Sequence, residues 1–137
     1  MMTAARADPM DGRPKVLIVE DNVDLVEILE QLLGLEYDVR TARRGEDGVV
    51  LATSFRPDVV ILDLQLPQMH GIETGRCIKS ELADVRILVL TAHTAAEDEQ
   101  AVLASGCCDV FMSKPAPLDA IRAAVSTLLV SGAGSAG

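Results

Sequence analysis

The sequence predicts an α/β fold, a three-layer α/β/α sandwich around a five-stranded parallel sheet. Short runs of Val, Ile and Leu alternate with segments whose apolar residues recur at helical spacing, five times along the 137 residues. The connections are short, which favours right-handed crossovers between parallel strands and places helices on both faces of the sheet. A hydrophobic fraction of 49% suits one compact domain with a single sheet at its centre.

The first two strand–helix units occupy the first third of the chain. The first strand is predicted at Lys15–Glu20, and the first helix from an N-cap at Asn22 to a stop at Gly34. An alternating strand at Tyr37–Ala42 and a short helix at Gly45–Ser54 follow. The predicted inner face of the first helix has apolar residues at i, i+3, i+4, i+7 and i+8, namely Leu25, Ile28, Leu29, Leu32 and Leu33.

The third unit contains the most apolar strand. Val59–Asp63 begins with four aliphatic residues and follows Pro57, a pattern typical of a buried parallel strand. The loop 64–71 contains a proline and ends in glycine, so it cannot be helical throughout. A helix is predicted at Ile72–Glu81 and a fourth strand at Arg86–Thr91.

The last two helices flank the fifth strand. The fourth helix is predicted at Ala95–Ser105 with a stop at Gly106, and acidic residues 97–99 lie near its first turn, where the helix dipole favours negative charge. The fifth strand is predicted at Asp109–Ser113, and the fifth helix starts near Pro117. The predicted buried stripe of this helix is Leu118, Ile121, Val125, Leu128 and Leu129.

Five such units fit the flavodoxin-like strand order 2-1-3-4-5. Residues 15–130 are predicted to form one domain, with flexible tails at residues 1–14 and 131–137. Neither tail resembles a signal peptide or a membrane span, so we expect a soluble cytoplasmic protein. The formal charge of -9, from 12 basic and 21 acidic residues, argues against direct binding to nucleic acid or to an anionic membrane.

The three cysteines indicate a reducing compartment. Cys77, Cys107 and Cys108 are odd in number and lack the spacing of a disulfide framework. The adjacent pair has no C-x-x-C motif and no neighbouring histidine to complete a metal site. We therefore predict that the three residues serve as small buried or half-buried side chains.

Polar residues lie at the exits of four of the five predicted strands. The first strand ends at Glu20 and Asp21, the third at Asp63 and the fourth at Thr91, and the fifth is followed by Lys114. The carboxyl ends of parallel strands meet at one edge of the sheet, where ligands bind in open α/β folds. A carboxylate such as Asp63 is costly to desolvate there without a cation. Asp63 is therefore either the cap of the next turn or a reacting group.

This set of residues predicts a phosphoryl site beside magnesium. The three carboxylates would repel one another without a cation, and Mg²⁺ favours one or two carboxylates, waters and a phosphate oxygen. Lys114 adds a point charge suited to phosphate. The hydroxyl of Thr91 is a hydrogen-bond donor for a phosphoryl oxygen.

Four segments together resemble the response-regulator receiver domain of two-component signalling. They are V-L-I-V-E-D-N (16–22), V-V-I-L-D-L-Q-L-P-Q-M-H-G (59–71), L-V-L-T-A (88–92) and F-M-S-K-P (111–115). Single pairs such as E-D or K-P are common, whereas these landmarks in this order are highly specific. The resemblance covers residues 15 to 130. Within the family, the chain is similar to single-domain, chemotaxis-type regulators.

The resemblance implies that Asp63 accepts a phosphoryl group from a phosphohistidine of a histidine kinase or a histidine phosphotransfer protein. It implies that Asp21, Asp63 and the main-chain carbonyl of Gln65 ligate Mg²⁺ directly, with Glu20 acting mostly through water. Lys114 would pair with the phosphoryl oxygens, and its bond to the following proline is expected to be cis. Such a domain is not an ordinary enzyme, although it promotes its own phosphorylation and dephosphorylation.

The resemblance also implies a switch. Thr91 would move toward the phosphoryl group and Phe111 would turn inward, changing the surface of the fourth helix, fifth strand and fifth helix that binds a downstream protein. A plain core aromatic is the alternative for Phe111. Gln65 and His93 stand where side chains control the water that hydrolyses the aspartyl-phosphate, and a solvent-exposed His93 without a role is the alternative. His70 is interpreted as loop chemistry, not as a metal ligand.

Three other classes of protein are alternatives to a phosphorylated receiver domain. An aspartate-nucleophile phosphatase of the haloacid-dehalogenase type needs a second aspartate two residues after the nucleophile, where this chain has Gln65. A flavin or nucleotide binder needs a phosphate-cradling loop after the first strand, where this chain has residues 20–22, E-D-N. A receiver that is never phosphorylated and serves only as a binding module would lack an acceptor landmark, and none is missing.

The biological context stays open at the level of sequence. The chain fits a stand-alone regulator acting through protein contacts, a phosphorelay intermediate, or a receiver cut from a hybrid histidine kinase. We expect a monomer or a weak dimer. The sequence names neither the kinase nor the downstream target.

Overall fold

The computed structural model of the protein describes residues 12–66, 71–92 and 96–136. Five strands and five helices alternate along it. The strands are β1 (Lys15–Val19), β2 (Asp38–Ala42), β3 (Val59–Leu62), β4 (Arg86–Thr91) and β5 (Val110–Ser113). The helices are α1 (Val23–Leu33), α2 (Gly45–Phe55), α3 (Gly71–Glu81), α4 (Ala96–Ala104) and α5 (Leu118–Ala136).

The sheet has the predicted topology. Its strands are all parallel and lie in the order β2-β1-β3-β4-β5. The predicted flavodoxin-like α/β/α sandwich is therefore confirmed. β1 and β3 pair with Val19 opposite Leu62, and both strands end there, one residue earlier than predicted. The residues that follow them, Glu20 and Asp63, are consequently neighbours at the carboxyl edge of the sheet.

The two faces of the sheet carry separate hydrophobic cores, because successive strand side chains point to opposite faces. One core joins the sheet to α2, α3 and α4, and its fully buried members include Leu17, Val19, Leu62, Ile78 and Ile87. The other joins the sheet to α1 and α5, and includes Val16, Ile18, Leu29, Leu88 and Val125. Burial on both faces explains why β1, β3 and β4 are nearly continuous aliphatic runs.

Helix α1 has the predicted ends but a different inner face. The Asn22 side chain accepts a hydrogen bond from the backbone N–H of Leu25 at 3.1 Å, and Gly34 closes the other end. The buried residues are Val26, Leu29 and Leu33, with Leu25 and Leu32 partly buried beside them.

The prediction for Ile28 was wrong, because its side chain is 45% exposed. The buried stripe of α1 runs along i, i+3 and i+7 from Val26. Ile28 directly precedes Leu29, so its side chain points about 100° around the helix axis from Leu29 and away from the stripe. The predicted face of five Leu and Ile residues therefore omitted Val26, the valine at which the buried stripe begins.

Helix α5 shows a similar departure. Ile121, Val125 and Leu128 are buried as predicted, whereas Leu118 is 42% exposed, contrary to the prediction. Leu118 is the first residue of the helix, and a residue at a helix end has neighbours along the helix on one side only. The helix continues to Ala136, past the predicted limit of the domain at residue 130.

Other features of the described residues agree with expectation. Cys107 and Cys108 are buried and Cys77 is half-buried, which confirms the prediction for the cysteines. The helix α4 is followed by Gly106 with a φ of 79°, a left-handed conformation that glycine adopts readily. None of the described helices combines the length and the apolar character needed to span a bilayer.

Candidate functional site

Two buried carboxylates lie side by side at the carboxyl edge of the sheet. Glu20 is 2% exposed and Asp63 is 4% exposed. Their backbone N–H groups extend the sheet ladder, since Glu20 donates to Ala42 O and Asp63 donates to Val19 O, each at 3.0 Å. The strands that precede them therefore fix both backbones, and their side chains are directed into the same site.

Each carboxylate uses one oxygen to accept a local backbone N–H. Glu20 Oε2 accepts from Asn22 N, and Asp63 Oδ1 accepts from Gln65 N, both at 3.0 Å. These two bonds hold the side chains in one orientation and begin the loops after β1 and β3. The other oxygen of each carboxylate is directed to a shared cation.

That cation is Lys114, which reaches the site from the end of β5. Its Nζ donates to Glu20 Oε1 at 2.8 Å and to Asp63 Oδ2 at 3.2 Å. Its backbone N–H donates to Thr91 O at 2.8 Å, so the main chain at the end of β4 positions the lysine. The Lys114–Pro115 peptide bond is cis, as the resemblance predicted.

Burial and the neighbouring charges shift two pKa values at the site. Burial, with the charge of Asp63, raises the pKa of Glu20, although hydrogen bonds from Lys114 and Asn22 oppose the rise. Burial lowers the pKa of Lys114, but its hydrogen bond to Glu20 and the charges of both carboxylates outweigh burial, and the pKa is raised. Lys114 is therefore an ammonium at neutral pH and neutralises only part of the surrounding negative charge.

The carboxylates converge closely enough to hold a metal ion. Glu20, Asp21 and Asp63 each offer an oxygen, and these three atoms lie within 4.8 Å of one another. Asp21 is exposed, so the group faces solvent on one side. Hard oxygen donors with room for several waters are the ligands that Mg²⁺ prefers. The donor set therefore fits Mg²⁺.

The two residues assigned to a switch lie on adjacent strands. Thr91 ends β4, is fully buried and stands opposite Ser113 of β5 in the ladder. Phe111 pairs with Val89 across the same two strands and is partly buried against the core that contains Leu62. The structure thus brings Thr91 and Phe111 to the strand pair that leads to Lys114, and their switching role stays a prediction.

The residues assigned to hydrolysis are only partly described. Gln65 is exposed just after Asp63, where its backbone N–H contacts the Asp63 carboxylate. His93 and His70 lie outside the described residues, so the roles predicted for them stay predictions.

Sequence reasoning missed the importance of Gly71. A Cβ built on this residue would lie 2.3 Å from Leu64 Cα and 2.6 Å from Asp63 O, closer than any side chain tolerates. Gly71 N also donates to Leu64 O at 3.1 Å. Helix α3 therefore starts in direct backbone contact with the segment that carries Asp63. The only signal in the sequence was a glycine between a loop and a helix.

Comparisons with known proteins show the family of the chain. The family model of the response regulator receiver domain matches residues 16–126. The chain is 36% identical over 121 residues to the probable transcriptional regulatory protein TcrX of Mycobacterium tuberculosis, covering 87% of this chain and 51% of TcrX. The chain thus spans about half the length of this relative.

Solved structures show the same architecture. The chemotaxis protein CheY4 of Vibrio cholerae superposes with a TM-score of 0.79 at 28% identity, covering 86% of this chain and 100% of CheY4. A CheY-like receiver domain protein from Methanospirillum hungatei superposes with a TM-score of 0.85 at 19% identity, over 90% of this chain and 99% of that one, and shows the fold alone. By its family match, its sequence relative and its fold, the chain belongs to the response regulator receiver domains of two-component signalling.

Proposed function

We propose that this receiver domain is a phosphorylation-dependent switch that accepts a phosphoryl group on Asp63 in the presence of Mg²⁺. The observation that carries the proposal is the position of Asp63, buried at a strand exit with Lys114 Nζ 3.2 Å from Oδ2 and two other carboxylates beside it. A carboxylate in this setting is a nucleophile of the kind that forms aspartyl-phosphates. The donor would be a phosphohistidine of a histidine kinase or a histidine phosphotransfer protein.

In the transfer step, an oxygen of Asp63 attacks the phosphorus atom. A P–O bond forms, the P–N bond to the donor imidazole breaks, and its electron pair stays on the imidazole nitrogen, which takes a proton from solvent. The Gln65 N–H fixes Oδ1, so Oδ2 is the oxygen that Lys114 must release for the reaction. The ammonium of Lys114 then pairs with the phosphoryl oxygens.

The proposal also includes the metal ligands. Asp21, Asp63 and the main-chain carbonyl of Gln65 would bind Mg²⁺ directly, with Glu20 acting mostly through water. A bound Mg²⁺ neutralises charge on the transferring phosphoryl group. Glu20 is already engaged by Asn22 N and Lys114 Nζ, which supports an indirect role for its carboxylate.

When Lys114 releases Asp63 and pairs with the phosphoryl group, its movement would change the surface that binds a partner. Because Lys114 N bonds to Thr91 O, movement of either residue affects β4 and β5 together. Thr91 would turn its hydroxyl toward the phosphoryl group, and Phe111 would move into the vacated space, changing the surface of α4, β5 and α5 that a downstream protein reads. Gln65 and His93 would set the lifetime of the phosphorylated state.

The experiment is phosphorylation by acetyl phosphate with Mg²⁺, measured by intact mass. We expect one phosphoryl group on the wild-type chain and none on Asp63→Asn. The matched control is Asp58→Asn, which changes a carboxylate at the opposite end of β3 and should retain phosphorylation. If Asp63→Asn is phosphorylated as fast as the wild type, Asp63 is not the acceptor. A chelator should prevent the reaction in the wild-type chain.

A further inference from the structure

An exposed arginine lies at the same edge of the sheet as the carboxylates, one strand away from them. Ala42 ends β2, and its carbonyl accepts the backbone N–H of Glu20 at 3.0 Å. Arg43 follows Ala42 and therefore adjoins the segment after β1 that contains Glu20 and Asp21. Neighbouring strands lie about 4.8 Å apart, so the main chain at position 43 is about one strand spacing from these acidic residues.

Arg43 differs from the two arginines nearest to it in the sequence. Arg40 has Asp38 as a partner at 3.5 Å, and Arg44 has Glu46 at 3.8 Å. Arg43 is exposed and forms no ion pair with any carboxylate in the ranges that the structure describes. Its positive charge therefore acts on the solvent beside an acidic site.

The fold itself gains little from a cation at position 43. Helix α2 begins two residues later, at Gly45. The amino end of a helix carries partial positive charge, so a cation near it is unfavourable. The Arg43 side chain is also exposed, so it contributes little to the cores. A positive charge that the fold disfavours is better explained by its action on a ligand of the neighbouring site.

Given the phosphorylation of Asp63 proposed above, we propose that Arg43 draws the anionic phosphoryl group of the donor toward the site. The carboxylates there outnumber the ammonium, so their field repels an anion until a metal binds. Arg43 offsets this repulsion from a distance and needs no direct contact with the donor. Such an effect is screened over ~10 Å at 0.1 M salt and ~30 Å at 0.01 M.

The same charge has the opposite effect on the metal ion. Because Mg²⁺ is a cation, Arg43 weakens its binding while it favours approach of the donor. Loss of a packing contact would not strengthen the binding of one ligand and slow the reaction with the other. Opposite changes for the two ligands therefore distinguish an electrostatic role of Arg43 from a structural one.

The test compares Arg43→Gln with the wild-type chain in acetyl phosphate and saturating Mg²⁺, following intact mass over time. At an ionic strength of about 0.03 M, we expect a rate constant about two- to fourfold lower for Arg43→Gln. The difference should disappear in about 0.5 M salt. It should also be smaller with phosphoramidate, which carries less negative charge than acetyl phosphate. Arg43→Lys keeps the charge and should react like the wild type.

The matched control is Arg56→Gln, which removes the same charge from the opposite edge of the sheet. Arg56 is exposed and follows the last residue of α2. This variant should keep the wild-type rate and the wild-type affinity for Mg²⁺. Titration calorimetry on the unphosphorylated chain should show Mg²⁺ binding about two- to threefold tighter in Arg43→Gln at the low ionic strength.

Several results would overturn the role of Arg43. They are an equal loss of rate in Arg56→Gln, a loss that persists at high salt, a failure of Arg43→Lys to restore the rate, and an unchanged Mg²⁺ affinity in Arg43→Gln. Phosphorylation of Arg43→Gln at the wild-type rate would reject this role alone and leave Asp63 as the acceptor. Absence of phosphorylation in every variant would instead reject the proposed function, and the role of Arg43 with it.

Discussion

The two ends of the sheet both carry carboxylates, but they use them differently. At the amino end, Asp58 Oδ2 accepts from Lys15 N at 2.9 Å, and Asp109 Oδ2 accepts from Ile87 N and Lys79 Nζ, each at 2.8 Å. These side chains link the beginning of one strand to the next. At the carboxyl end, the buried carboxylates Glu20 and Asp63 share the single ammonium of Lys114, and Asp21 lies beside them.

The difference shows how a structural carboxylate is told from a reactive one. Asp109 has its own ammonium and a strand N–H, so little is gained by adding a cation there. At the other end, two carboxylates share the ammonium of Lys114 and Asp21 lies beside them, so negative charge remains that can bind a metal ion. The ratio of positive partners to carboxylates therefore separates the two ends, and burial agrees with it, since Asp109 is exposed whereas Glu20 and Asp63 are buried.

The largest effect on stability is expected from Lys114→Met. Without Mg²⁺ it leaves two buried carboxylates without their cation, and we expect a loss of about 2–3 kcal/mol in the free energy of unfolding, below the value for a fully buried pair because Lys114 is partly exposed. Urea unfolding with and without Mg²⁺ measures this. The metal should stabilise the variant more than the wild type, since it replaces the missing charge. Equal stabilisation of both would contradict the contrast between the two ends.

A smaller loss is expected from Asp109→Ala at the opposite end. The change removes the acceptor of Ile87 N and the partner of Lys79, at a cost of about 2 kcal/mol in the free energy of unfolding. Urea unfolding should show no recovery with Mg²⁺, because no metal site is involved. Recovery by Mg²⁺ would mean that the amino end also binds the metal.

Asp21→Asn should affect metal binding without affecting the fold. Asp21 is exposed, so the free energy of unfolding without metal should change by about 0.5 kcal/mol or less. Its loss as a ligand should weaken Mg²⁺ binding at least about tenfold, as losses around metal sites commonly do. Titration calorimetry measures the affinity. Unchanged affinity would remove Asp21 from the proposed ligands.

Of the two changes at the amino end, the smaller effect is expected from Asp58→Asn. The amide oxygen still accepts from Lys15 N, so only the charge of the acceptor is lost, at a cost of about 1 kcal/mol or less. Thermal unfolding detects a change of this size. A loss as large as that of Asp109→Ala would show that charge, rather than the strand-linking hydrogen bond, stabilises the amino end.

Local patterns predicted the fold because each element carries its own signal. The aliphatic run of β3 and the Asn22 cap of α1 depend on neighbours in sequence, and both were identified correctly. The exits of parallel strands then placed Asp63 and Lys114 at one edge without further information. The order of the strands and the edge where the site lies were thus accessible from the chain alone.

What escaped prediction depends on contacts between distant segments. The pairing of Lys79 with Asp109 joins residues thirty positions apart, and no local sequence pattern near either residue predicts it. Ile28 was misassigned because helical spacing fixes which residues share a face but not which face meets the sheet. The approach of Gly71 to Leu64 is likewise a property of the packed backbone.

The close contact between the backbones of Gly71 and Leu64 limits which residues of α3 can be substituted. The first residue of helix α3 is located against the Asp63 segment by main-chain atoms, through Gly71 and Leu64, and the buried side chain of Ile78 then packs the helix on the sheet. Side chains on the outer surface of α3 are therefore free to vary without displacing Asp63. A single added methyl group at Gly71 would force the start of the helix or the Asp63 segment to shift, so the geometry of the site depends on the absence of one carbon atom.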